Sequence, residues 1–89
     1  MNAKEARELA LWNKLPGVLK AQIKIDVEYG KFKSSFYKSS KYLGDINWND
    51  LSSYIHSLES LGYKTEIKIH TDLGDEEFVV HWNIGIKYI

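Results

Sequence analysis

Residues 47–84 read NWNDLSSYIHSLESLGYKTEIKIHTDLGDEEFVVHWNI, and this stretch decides the fold class. Asn47 is a good N-cap residue, with Asp50 at N3 and Ile46 placed to staple onto Leu51. Leu51, Tyr54, Ile55, Leu58 and Leu61 recur at helical spacing, while Ser52, Ser53, Ser57, Glu59 and Ser60 face away. Gly62 then stands where a helix stops. Two alternating segments follow. Tyr63, Thr65, Ile67 and Ile69 share one face, and Phe78, Val80, Trp82 and Ile84 share the matching face of a returning strand. A turn centred on Leu73-Gly74 sets Ile69 opposite Phe78, Ile67 opposite Val80 and Thr65 opposite Trp82. The second face carries Lys64, Glu66, Lys68 and His70 against Asn83, His81, Val79 and Glu77. One apolar and one wet face imply an antiparallel sheet covered on a single side.

Upstream, Asn2 caps a helix with Glu5 at N3, and helix formers run through Leu15. Pro16-Gly17 interrupts that run with a kink or a break. Residues 18–29 fit two templates. Ile23, Ile25, Val27 and Tyr29 alternate as in a strand, whereas Leu19, Ile23 and Val27 share a helix face that Gly30 would end. Lys31–Tyr37 reads as a short strand and KSSKYLGD as a loop. Gly85 leads into a short apolar tail, GIKYI. The chain, residues 1–89, is one domain of the α+β class. Its architecture is two-layer, a three-stranded, largely antiparallel sheet with two helices on one face, in the order α-β-α-β-β.

Twelve Lys and Arg balance twelve Asp and Glu. Zero net charge argues against binding driven by phosphate neutralisation, and equally against an acidic mimic of DNA. The absence of cysteine excludes disulfides, zinc–thiolate sites and thiol nucleophiles. No apolar run is long enough to span a bilayer, and NAKEARELALWNK lacks a signal-peptide core, so a cytoplasmic protein with no membrane partner is expected.

Four segments carry a resemblance: NAKEAREL, IKIDVEYGKF, LESLGYKTEI and VVHWNI. Together they resemble a broad group of small phage- and prophage-encoded proteins of Gram-positive bacteria. In that group a long helix runs into G-K-F and a strand, then a helix ending L-x-x-L-G-Y-K and a hairpin. The resemblance implies helix for residues 18–29, although Pro16-Gly17 departs from an uninterrupted first helix. These motifs are structural punctuation, and no catalytic set transfers with them.

No catalytic or metal-binding residues are assigned, and no cofactor is expected. His70 opposite Glu77 and His81 opposite Glu66 lie about 13 Å apart along the ladder, too far to share one ion. His56 flanks the apolar helix stripe as a boundary residue. Glu66 beside His81 has the chemistry of a general base, but cross-strand charge pairing on a solvated face explains the pair without catalysis. Asp72, Asp75, Glu76 and Glu77 make the hairpin tip acidic, either as a solvated turn or as an electrostatic docking point. Lys31, Lys33, Lys38 and Lys41 interleave with Phe32, Phe36, Tyr37 and Tyr42. That pattern serves nucleic-acid binding, with Phe36 as a stacking residue, or a lysine-defended edge strand. Trp12 lies off the alanine face of the first helix. With Leu11, Leu15 and Tyr88 it reads as a partner-binding surface, buried in a homo-oligomer or against another protein. The expectation is a non-enzymatic phage or prophage accessory protein that binds, inhibiting a host defence protein or sequestering a small signalling ligand. A nucleic-acid-binding regulator is the alternative.

Overall fold

The computed structural model describes residues 1–82. Elements run α1 (Ala3–Asn13), α2 (Gly17–Glu28), β1 (Lys33–Tyr37), a single 3-10 turn (Trp48–Asp50), α3 (Leu51–Ser60), β2 (Lys64–His70) and β3 (Asp75–His81). The expected α+β layout is present, with the first helix split in two. Asn2 starts α1 by accepting from the Glu5 amide at 2.8 Å, and Glu5 accepts in return from the Asn2 side chain. Pro16 then occupies the N-cap position of α2, in extended conformation and with no side-chain cap of its own.

Residues 17–28 are helical, so the alternation of Ile23, Ile25 and Val27 does not describe them. Leu19, Ile23 and Asp26 form the buried face, while Ile25 and Val27 are exposed. The cap that Pro16 cannot supply comes from a distant loop. Asp45 accepts from the Gly17 and Val18 amides at 2.6 and 3.0 Å. Those two bonds hold its carboxyl below the usual aspartate range. Gly44, with φ of 56°, brings that loop against Val18, where a Cβ would collide with the valine side chain. Gly30, at φ of 73°, ends the helix and turns the chain toward β1.

The sheet is antiparallel with order β1-β3-β2, so the last strand is central and the two earlier ones are edges. Its inner face meets α2 and α3. Leu15, Leu19, Ile23, Ile46, Leu51, Tyr54 and Leu58 pack with Phe36, Phe78 and Val80 as the core. The staple of Ile46 on Leu51 is thus buried, while Asn47 caps the 3-10 turn that precedes α3, accepting from the Asn49 amide at 3.0 Å. Ser57, expected to face solvent, is buried.

The hairpin register differs by two residues from the expected one. Ile67 faces Phe78, Thr65 faces Val80, and Ile69 faces Glu76. The connection is the four residues Thr71–Gly74, with Gly74 at φ of 62°, and not a two-residue turn at Leu73-Gly74. A slip of two keeps every side chain on its face, so facial patterning does not distinguish the two registers. Val79, expected on the wet face, is fully buried there. Its flanking rows carry the pairs His81–Glu66 at 2.9 Å and His70–Glu77 at 3.0 Å, which run diagonally across the strands. No helix among the described residues is long and apolar enough to cross a membrane.

Candidate functional site

Two recesses flank the C-terminal end of α2 and the strand ends beside it. The first is aromatic. Trp12 from the last turn of α1 and Val27 from α2 line it with Leu61, Gly62, Tyr63 and Trp82, enclosing about 470 Å³. Gly62, at φ of 97°, turns the chain out of α3 and delivers Tyr63 to this wall. Tyr63 meets Trp82 edge to face, with centroids 6.3 Å apart and planes at 89°. Trp82 donates its indole N–H to the Lys31 carbonyl at 2.9 Å, which fixes the ring. Burial pushes the Tyr63 phenol above its usual pKa, so it stays a neutral donor. Glu8 is the one charged residue on the lining.

The second recess is polar and measures about 620 Å³. Gln22, Asp26, Lys31, Phe32, Lys33, Ser35 and His81 line it. Asp26 is buried at its back, accepting from Ser34 Oγ at 2.5 Å and Gln22 Nε2 at 3.1 Å, with Lys31 Nζ at 3.6 Å. A buried carboxylate requires such partners, because desolvation alone would disfavour its charge. Asp26 therefore joins the end of α2 to β1, and the half-exposed Phe32 sits between two lysines at the mouth.

The expected partner-binding residues separate in the structure. Trp12 packs partly against the core and keeps one side on the aromatic recess. Leu11 lines a neighbouring recess of about 640 Å³ with Lys4, Arg7 and His56. Leu15 is only 4% exposed and belongs to the core, so it is not an interface residue. It sits there because the break at Pro16 turns the chain inward. Tyr88, Ile84 and the GIKYI tail lie outside the described residues.

The basic and aromatic segment also divides. Lys31 and Lys33 share the polar recess, but Phe36 is buried against Phe78, with centroids 6.3 Å apart, and offers no face to a base. Lys38 lies past the opposite end of β1, paired with Glu76 at 3.2 Å, and Lys41 is exposed in the following loop. Three of the four acidic residues at the tip are paired within the chain, and Asp72 is exposed. Asp75 holds the Ser39 amide and hydroxyl at 3.1 and 2.5 Å, Glu76 takes Lys38, and Glu77 is buried with His70. Contact with Ser39 keeps the Asp75 carboxyl below its usual range, and the His70 bond does the same for Glu77.

The two histidine–glutamate pairs form despite the changed register, because a diagonal neighbour is within reach of a long side chain. His70 and His81 belong to rows led by Asp75 and Lys64, farther apart than expected. Among the described residues no cluster of metal-ligating side chains exists, and no buried side-chain polar atom lacks a partner. Asp26 and Asp45 were not singled out from the sequence. Asp26 carried a signal, since it falls seven residues after Leu19 and three after Ile23 on one helical face. Asp45 carried none, because its partners are 27 and 28 residues away. No protein-family model, curated protein or solved structure matches this chain.

Proposed function

We propose that this chain works by binding a protein partner, with the aromatic recess of Trp12, Tyr63 and Trp82 receiving an apolar side chain of that partner. The observation that carries this reading is the recess itself: three large aromatic side chains beside the exposed Val27, with a single carboxylate on the lining. Rigid aromatic walls bury much apolar area at little entropic cost, which is what an interface anchor needs. In the phage or prophage setting that the resemblance implies, the partner is a host protein and the effect is inhibition. The volume also lies within the range of small-molecule sites, so sequestration of a small signalling ligand is the competing outcome.

The test is native mass spectrometry of the tagged protein from host lysate, followed by titration with the purified partner so identified. Trp12→Ala is expected to weaken that binding by roughly 30-fold or more, the scale of a hot-spot residue. Lys31→Glu with Lys33→Glu is expected to leave it unchanged. The converse pattern, with a nucleic acid recovered and affinity falling steeply with salt, would establish the second reading. That reading draws on Phe32 exposed between Lys31 and Lys33 at the polar recess.

A further inference from the structure

Among the described residues, nothing covers an apolar stripe and a row of backbone groups on the second strand. Ile67 and Ile69 point to the core side of the sheet, yet they are 43% and 70% exposed, and Leu73 beyond them is 70% exposed. The helical layer does not reach this far.

The direction of the free backbone groups follows from the other edge. Lys38 N donates to Glu76 O, and Trp82 N donates to Phe32 O, at 2.9 and 3.0 Å. On β3, residues 76, 78, 80 and 82 therefore bond β1, and by alternation 75, 77, 79 and 81 bond β2. Their partners on β2 are His70, Lys68, Glu66 and Lys64. The amides and carbonyls of Thr65, Ile67 and Ile69 consequently point outward from the sheet, from the same residues whose side chains form the uncovered stripe.

We propose that β2 pairs antiparallel with β2 of a second copy of this chain, about a two-fold axis at Ile67. The sequence KTEIKIH is self-complementary in that register. Ile67 meets Ile67 of the second copy, Thr65 meets Ile69, Lys64 meets His70, and Glu66 meets Lys68 twice over. Moving the centre to Glu66 sets glutamate against glutamate and Lys64 against Lys68, and moving it to Lys68 sets lysine against lysine. A centre between two residues joins the apolar face of one copy to the charged face of the other. Only the Ile67 register uses the whole strand, matches its charges and hydrogen-bonds the outward groups of residues 65, 67 and 69.

Within one copy Glu66 already accepts from His81 at 2.9 Å and lies 3.9 Å from Lys68. Lys68 across the seam adds to this cluster. A two-fold contact uses β2 of both copies, so this pairing closes at two. The contact is a small one, so the dimer is concentration-dependent.

Sedimentation equilibrium of the full chain tests the pairing. Wild type is expected to dimerise, while Glu66→Lys and Lys68→Glu, each confirmed folded by thermal melting, raise the dissociation constant about tenfold or more. An equimolar mixture of the two variants is expected to associate, because each supplies the charge that the other lacks. Ile67→Pro removes only an outward N–H, a position where an edge strand tolerates proline, and is expected to give a folded monomer. On concentration, the amides of Thr65, Ile67 and Ile69 should gain exchange protection while those of Glu66 and Lys68 do not change. A wild-type monomer at all concentrations overturns the proposal. So does a dimer indifferent to both charge reversals, which would sit elsewhere, for example at Trp12.

Discussion

The two edge strands of the sheet are opposites in how their chemistry matches their burial. The inner face of β1 carries Ser34 and Phe36, and both are buried under α2 and its neighbours. The inner face of β2 carries the more apolar pair Ile67 and Ile69, and both are exposed. Hydrophobicity of the residue therefore does not decide burial here; the position of the helical layer does. The Asp26–Ser34 bond ties α2 to β1 and gives the serine a satisfied place in a dry interior.

The sharpest way to break this contrast is to remove the aromatic ring from the covered edge. Phe36→Ala is expected to cost about 3–5 kcal/mol, because its site beside Phe78 cannot refill, as chemical denaturation would report. An effect below about 1 kcal/mol would mean that the helices do not seal β1. A smaller effect is expected from loosening the cover. Asp45→Asn should lower the melting temperature at neutral pH. It should also flatten the loss of stability on acidification. The sign follows from the depressed folded-state pKa: the cap is fully present above the ordinary aspartate value of 3.8 and is lost as pH falls through the lower folded value. Asp75 and Glu77 are depressed in the same direction, so the variant keeps part of that acid sensitivity. Melting curves from roughly pH 5 to pH 3 separate these contributions. The smallest effect belongs to the open edge. In dilute solution Ile69→Thr should change stability by no more than about 0.5 kcal/mol, since little of the side chain is buried. A larger loss would place Ile69 in a core that the fold does not show.

Much of the architecture is legible in the residues. Asn2 with Glu5, the apolar stripe of α3, Gly62 and the period-two patterns of β2 and β3 are local signals whose consequences are local. The aromatic recess is less so. Trp12 stands out as an unexplained tryptophan, but Val27, Leu61 and Tyr63 join it only because α1, α2 and the end of α3 converge there. Leu15, expected on a partner surface, is buried, while Phe36 takes the inward place expected of a lysine-defended edge strand and not the stacking role, because no local pattern states which side of a short segment will be covered.

By itself, then, the sequence determined the element types that rest on capping, helical spacing and strand alternation, and with them the α+β class. Tertiary structure decided what depends on long-range partners. Residues 17–28 became helix once Asp45 capped them and their Leu19–Ile23–Asp26 face found the sheet. The hairpin took its register from a four-residue loop that facial alternation does not encode. The order β1-β3-β2 made β2 an edge, so Ile67 and Ile69 stayed in water. The helix and the strand order turn on contacts that span more chain than any local pattern covers, and the register turns on a loop length that alternation leaves open.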